Sequence, residues 1–388
     1  MADEVYTIGW GRRLGESIKR VLVGILLFLV SFPVLFWNEG RAVREMKGLK
    51  EAAKAVTTVP SDALSSANEG KLIHTTGTAS SEEDLVDPAF ASVKAERAIR
   101  LARKAEIYQW KEKKEEKRER QTGGSERVTV TYRYEKLWTE AEISSSNFHR
   151  DSEEYRRLQP INSGTLQHPS KTWTAQKVKL GAFLLPGSLV DKLKSERLDP
   201  PEFPTGMPEA ERPKRDNGAY YFGADPSDPR IGDVRIGWEV VKAQPASVLG
   251  QQAKDTLVPY TTSQGTQVLR LDPGTVSAAT MIESAKSESR MITWILRVVG
   301  FFLMFIGLTM VVGPFAVLMD VLPFLGDVVR IGTGLGAAIL SICLSLSTIS
   351  IAWLFYRPLI GIPMLAGGVG LLILAMVVGK KKKAPAPG

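Results

Sequence analysis

Apolar positions gather at the two ends of the chain, and the middle is polar with local alternation. The first apolar run, Val21 to Trp37, reads VLVGILLFLVSFPVLFW and carries no charge. About 20 such residues cross a bilayer core as a helix. Arg12, Arg13, Lys19 and Arg20 precede it, and it ends in bulky Leu35, Phe36 and Trp37 with no small-x-small cleavage site. An uncleaved anchor is therefore expected rather than a signal peptide, and a membrane helix tolerates Pro33. Three further runs crowd the C-terminus: Val298 to Leu318, Ile331 to Phe355 and Pro358 to Val378. Arg297, at the entrance of the second run, is expected to snorkel toward headgroups. Tyr356, Arg357 and Pro358 are all that lies at the junction of the last two runs, which predicts an antiparallel hairpin of helices.

The expected fold class is α+β: a multi-span membrane protein with four transmembrane helices (21–37, 298–318, 331–355 and 358–378) and a large β-rich extramembrane module over 38–291. Residues 1–20 read as a basic cytoplasmic N-terminus, 319–330 as an interfacial loop and 379–388 as a basic cytoplasmic tail. Four crossings place both termini on one side. The four lysines Lys380 to Lys383 and the basic N-terminal flank assign that side to the cytoplasm. Arg41, Arg44 and Lys47 argue the other way, but long domains translocate largely regardless of charge. The module is then extracytoplasmic or lumenal.

In the third run Gly334, Ala338, Ser341, Ser345, Thr348 and Ala352 recur at spacings of three and four, which sets them on one helical face. Such a face reads as a helix-packing seam, because small residues let membrane helices approach and hydroxyls bond across the contact. A pore lining is the competing reading, and the absence of an ionisable residue from the face disfavours it. Gly332-x-Gly334-x-Gly336 follows no strand and is not a nucleotide loop. Asp320, Asp327 and Arg330 are expected at headgroup level.

After the first run, Ala42, Met46, Leu49, Ala53 and Val56 repeat at helical spacing opposite Arg44, Lys47, Lys50 and Lys54, an amphipathic helix leaving the membrane. Its apolar face is either core or a lipid contact. Leu72 to Thr78 reads as a strand, with His74 as a satisfied side chain rather than a ligand. Val128, Val130, Tyr132, Tyr134 and Trp138 alternate with polar residues, and with Glu106 to Lys113 they predict a long hairpin whose tip carries Gly123 and Gly124. Further strands are expected at Gln176–Phe183, Ala219–Phe222, Gly232–Lys242 and Leu257–Leu271, with a turn at Ser263-Gln264-Gly265. Helices are expected at Ser188–Lys194 and Thr275–Met291, and a proline-rich loop over 198–230. An internal echo pairs Asn38-Glu39-Gly40 with Asn68-Glu69-Gly70, each glycine reading as a turn residue.

Composition narrows the chemistry. Of 388 residues, 24% are charged and the formal net charge is +8. One cysteine, Cys343, excludes an intrachain disulfide and a multi-thiolate zinc site, and it falls mid-membrane, where a thiol is inert. Three histidines (His74, His149 and His168) leave little for a metal cluster. Residues 94–136 hold 14 basic and 8 acidic residues. The acidic ones are interleaved, so this segment reads as a solvated hairpin and no nucleic acid is expected. No Walker loop, nucleophile elbow, H-E-x-x-H or zinc spacing occurs. No catalytic, cofactor or metal site follows from sequence.

The segments LFWNEGRAVR at 35–44, NEGKLIHTTG at 68–77, Asp87-Pro88, Glu106 with Tyr108-Gln109-Trp110, and Asn147-Phe148 carry a resemblance. So do GSLVDKL at 187–193, GDVRI at 232–236, LVPY at 257–260, Thr293-Trp294 with Arg297, and AWLFYRPL at 352–359, which holds Trp353, Arg357 and Pro358. In this order they resemble the transmembrane protein 43 (LUMA) family nearly end to end. The resemblance implies four spans, a large module off the cytoplasmic face, self-association and a scaffolding role. In eukaryotic members that role is nuclear-envelope organisation with lamin and emerin as partners. It implies no catalytic residue set. The alanine- and glycine-rich composition and the lack of sorting signals point to a bacterial member, placed in an inner membrane. A eukaryotic member would sit in the endoplasmic reticulum or inner nuclear membrane.

The expected function is an integral membrane scaffold that self-associates and organises membrane or envelope complexes, with lipid and a second copy of the chain as partners. An ion channel or transporter component and a membrane-tethered envelope enzyme are the alternatives.

Overall fold

The computed structural model describes residues 4–121, 123–202, 212–319, 323–359 and 361–363. The chain divides into two compact bodies. One holds Met1–Tyr6, Glu51–Arg118 and Val128–Glu283; the other holds Thr7–Lys50, Glu119–Arg127 and Ser284–Gly388.

The first body is built mainly on two sheets. In the larger, the strand order is β1 (Glu4–Ile8), β7 (Glu126–Thr139), β6 (Arg100–Arg120), β14 (Val234–Val241), β13 (Ala219–Phe222) and β12 (Lys214–Asp216). In addition β8 (Lys171–Thr174) pairs with β6, and β11 (Glu196–Leu198) with β14. Alternation builds its core: Leu101, Arg103, Ala105, Ile107 and Gln109 of β6 and Val128, Val130, Tyr132 and Tyr134 of β7 are buried, and their neighbours are more exposed. A small hairpin of β4 (Leu85–Asp87) and β5 (Phe90–Ala95) adds Leu85, Phe90 and Val93 to a core with Leu101, Tyr220, Ile236 and Trp238.

The second sheet runs β19 (Arg270–Pro273), β15 (Gln244–Ala253), β16 (Thr256–Val258), β10 (Phe183–Leu184), β9 (Lys179–Leu180), β3 (Leu72–Ser80) and β2 (Thr57–Thr58). Because β15 also pairs with β3 from Gln244↔Ala79 to Gln251↔Leu72, five of these strands close on themselves as a small barrel. Ile73, Leu180, Phe183, Val248 and Leu257 belong to its core. Tyr260–Thr261 (β17) and Gln267–Val268 (β18) form a separate hairpin. Two short helices, α2 (Glu153–Leu158) and α3 (Gly187–Val190), lie in the connections.

Among the described residues the second body carries three long helices: α1 (Trp10–Ala55), α4 (Ala278–Met319) and α5 (Pro323–Tyr356). At 1.5 Å per residue the first is about 69 Å long, over twice a bilayer core. All three are long and apolar enough to cross a membrane. The sequence divided two of them that the structure keeps whole. The basic flank, the first span and the amphipathic segment are one helix, and the helix ahead of the second span continues into it. The interfacial loop is shorter than expected, since α5 starts at Pro323, a residue suited to a first helical turn because its missing N–H costs nothing there. The fourth apolar run, 358–378, lies outside the described residues beyond its first turn.

Side-chain gaps set how closely these helices approach. A Cβ on Gly24 would stand 2.8 Å from the Gly307 carbonyl oxygen, and one on Gly307 2.7 Å from that of Gly24. The α1 and α4 backbones therefore touch at this point. Leu35 fills the space over Gly300, and the Tyr356 ring lies against Gly40. Contacts between residues 38 and 293 and between 10 and 317 make α1 and α4 antiparallel.

Candidate functional site

The bundle holds a buried charged cluster. Glu39 of α1 is fully buried and accepts from Arg297 of α4 through both oxygens, Nε to Oε1 at 2.7 Å and Nη2 to Oε2 at 3.0 Å. Trp353 of α5 donates its Nε1–H to the same carboxylate at 2.7 Å. The guanidinium lies 4.8 Å from the Trp294 ring centroid and 5.8 Å from that of Trp353. Beside it Asn38, also buried, donates to the Thr293 carbonyl at 3.0 Å, and Arg41 reaches Thr293 Oγ1 at 3.0 Å. One motif residue on each of two helices and Arg297 on the third are thereby joined. Arg297 does not snorkel as expected: its charge is spent on a carboxylate that the sequence reading had placed just outside the first span.

The α5 positions divide. Ser341, Ser345, Thr348 and Ala352 are buried, and Gly334 and Ala338 are half-buried. Ser345 Oγ lies 3.6 Å from Met304 Sδ of α4, a contact inside the chain. Arg357 and Pro358 follow the helix end, with the Arg357 N–H on the Trp353 carbonyl.

The module's motif residues build loops. Gln109 is buried and binds the far end of the hairpin: its amide donates to Thr139 Oγ1 and to the Ala141 carbonyl, and its oxygen accepts from Ile143 N–H at 2.9 Å. Asn162 clasps the Trp110 backbone by accepting its N–H at 2.7 Å and donating to its carbonyl at 3.0 Å. Tyr108 packs on Trp138 with centroids 5.2 Å apart. Asn68 ends a short 3-10 turn, Glu69 accepts the Lys254 N–H, and Gly70 has a φ of +74°, which a side chain resists. Gly40 sits inside α1 instead of in a turn, so the two N-E-G triplets are not a structural repeat.

His74 is buried and fully partnered. Its Nδ1 lies 3.3 Å from Thr58 Oγ1 and its Nε2 2.9 Å from the Val276 carbonyl. It links the segment that follows α1 to the segment that precedes α4.

A second charged cluster lies in the module, and sequence reasoning missed it apart from the Asp87-Pro88 motif. Arg103 Nη1 donates to both oxygens of fully buried Asp87, at 2.7 and 2.9 Å, and Trp238 Nε1 donates to Oδ2 at 2.9 Å. Arginine on a core-facing strand position was the available signal. In the same sheet, burial first and then the bond to Asp233 push the Tyr221 hydroxyl above its ordinary range. Among the described residues no group of three or more His, Cys, Asp or Glu could hold a metal ion.

The geometry is that of a membrane helix bundle joined to a sheet module, and comparison with known proteins gives it a family. A profile described as transmembrane protein 43 matches residues 107–358. Rat transmembrane protein 43 is 30% identical over 392 residues, 97% of this chain and 93% of that protein. The human protein is 30% identical over 393 residues with the same coverage. The Drosophila melanogaster homolog is 28% identical over 370 residues, 92% of this chain and 94% of that protein. No solved structure matches. These relatives are animal proteins, so the expected bacterial origin is not borne out. With a match that runs through nearly the whole chain, this membrane-integral protein belongs to the transmembrane protein 43 family.

Proposed function

We propose that the chain is a self-associating membrane scaffold whose helices hold copies together and whose module offers a rigid surface to protein partners. The carrying observation is that its glycines serve in two ways. Gly24, Gly300 and Gly307 are filled by neighbouring helices of the same chain, whereas Gly332 and Gly336, four apart on α5, have no described atom within 4 Å of where a Cβ would stand. Open small residues at that spacing favour close approach of a second membrane helix. The polar clusters of both bodies are consumed by contacts within the fold, which supports a load-carrying role over a reactive one. Lamin- and emerin-type partners would follow from the family resemblance alone.

Cys343 supplies the test. It is exposed and lies 7 and 11 residues beyond Gly336 and Gly332, hence on the same helical face. Cross-linking in native membranes with an oxidant that partitions into the bilayer, where aqueous reagents leave the thiol inert, is expected to give a dimer through Cys343, and Gly332→Leu with Gly336→Leu to abolish it. Failure to trap any dimer in membranes where the protein is intact would refute self-association through this face. Sidedness is read separately, by labelling single cysteines at Val5 and Gly123 in a Cys343→Ser background. Opposite sides would support a cytoplasmic N-terminus with a single crossing by α1 and would contradict the pairing of β1 with β7 in one sheet. The same side makes β1, an edge strand of the module's sheet, a resident of the module's compartment.

A further inference from the structure

At one end of the bundle each helix carries a tryptophan and, one turn further from its apolar run, an arginine. The pairs are Trp37 and Arg41 on α1, Arg290 and Trp294 on α4, and Trp353 on α5 with Arg357 directly after its last residue, Tyr356. The helices alternate in direction, so the order is reversed on α4 and the arginine is still the outer member every time. The levels agree across the bundle. Asn38 meets Thr293, the Tyr356 ring lies against Gly40 and Trp353 bonds Glu39, which sets the tryptophans in one layer and the arginines in the next, about 6 Å out along the axis. Trp37 and Trp294 are 54% and 64% exposed, as side chains at a lipid boundary would be.

The two layers treat charge differently. At the tryptophan level Arg297 is neutralised by Glu39 and stacked between two indoles. In the outer layer the contacts of the arginines are uncharged. Arg41 reaches Thr293 Oγ1 and Asn38 Oδ1, and its buried Nε–H has no partner; Arg290 reaches the Lys286 carbonyl. None of the three has a carboxylate partner among the described residues. A headgroup layer is about 5–7 Å deep on each side of a bilayer core, so guanidiniums one turn beyond an indole belt stand among phosphates. We infer that this arginine collar binds anionic phospholipid headgroups, with the tryptophan layer fixing its depth.

Full-length protein is reconstituted in vesicles of equal phosphatidylglycerol and phosphatidylcholine, extracted into mild detergent, and the retained lipid is quantified. The wild type is expected to retain phosphatidylglycerol in preference. Arg290→Gln with Arg357→Gln is expected to lower that preference by at least about fivefold, since a basic residue near an anionic surface contributes about that factor. Arg290→Lys with Arg357→Lys should keep most of it, which separates loss of charge from loss of fold. Neutralising Lys380 to Lys383 should leave it in place. Equal retention of the two lipids by the wild type overturns the collar. So does an unchanged preference in the glutamine variant, or a preference lost only with the terminal lysines.

Discussion

The two bodies contain the same chemical unit in different surroundings: a buried carboxylate that accepts from an arginine and from an indole N–H. In the bundle the unit is Glu39, Arg297 and Trp353, drawn from three helices and separated by 258 and 314 positions. In the module it is Asp87, Arg103 and Trp238, with 16 positions between carboxylate and arginine. The module's arginine also has other support. Its Nε donates to the Pro169 carbonyl, and Phe90 and Trp173 face the guanidinium at 5.8 and 5.4 Å. Asp87 also caps the Ala89 N–H at 3.0 Å. In the bundle Glu39 is the only carboxylate given to Arg297 among the described residues, and lipid offers no water to replace it. The module's triad fastens a hairpin to a sheet that its hydrophobic core already specifies. The bundle's triad ties together three helices that otherwise meet through apolar side chains and glycine gaps.

The largest effect is therefore expected at Glu39. Removing one member of a buried pair strands the other charge and costs about 3–5 kcal/mol. Glu39→Gln should abolish the stable bundle in detergent, and a second change, Arg297→Met, should restore part of it by removing the orphan. If the double variant is no more stable than the single one, the pair is not what aligns the helices. Asp87→Asn is expected to cost less, about 2–4 kcal/mol, because Arg103 keeps its carbonyl and two ring faces. Hydrogen exchange should localise the damage to β4, β5 and β6 while α1, α4 and α5 keep their protection. Loss of protection in both bodies after Asp87→Asn would mean that the two units are not independent in this sense.

How much of this was legible from sequence differs between the bodies for the same reason. Long apolar runs and strict alternation are strong signals, so the three described spans and the β6–β7 hairpin were readable. What failed were features without a period. β15 was missed because Ala246, Ser247, Val248, Leu249 and Gly250 are all buried, so the strand shows no alternation. Ser247 adds a polar residue to that core and is satisfied by Thr76 Oγ1 and the Gly274 carbonyl. Glu39 was readable as a motif residue but its buried ion pair was not, because the helix runs on to Ala55 past the charges that close the apolar run and the partner arrives from 258 positions away. The α5 small-residue face was readable as a set. Which part of it meets the chain's own helices was not, because that depends on how the three helices meet.

Ser345→Leu sharpens this point at the next level of energy. The hydroxyl is buried against Met304, so added methylenes must displace packed atoms, at about 1–3 kcal/mol, while Ile349→Leu conserves volume and should cost under about 1.5 kcal/mol. Thermal midpoints of the two variants in detergent make the comparison. Equal shifts would place Ser345 at a looser contact than the structure gives it.

The smallest effect is expected where the same residue types meet in water. Lys104 and Glu239 face each other across β6 and β14, with 57% and 34% of their side chains exposed. Ser195 Oγ also donates to Glu239 at 2.9 Å. The Lys104 bond, ahead of that from Ser195, holds the Glu239 carboxyl below its ordinary range against an opposing effect of burial. A carboxylate whose pKa falls on folding adds stability above its unfolded value of 4.5, and that stability is lost as pH drops through the lower folded value. Solvent screens a pair this exposed, so Lys104→Gln should cost less than about 1 kcal/mol at neutral pH. The difference from wild type should shrink further in acid below pH 4 and in high salt. A loss comparable to that of Asp87→Asn would show that exposure is not what separates weak ion pairs from strong ones here. The contrast between the buried triads and the surface would then need another cause.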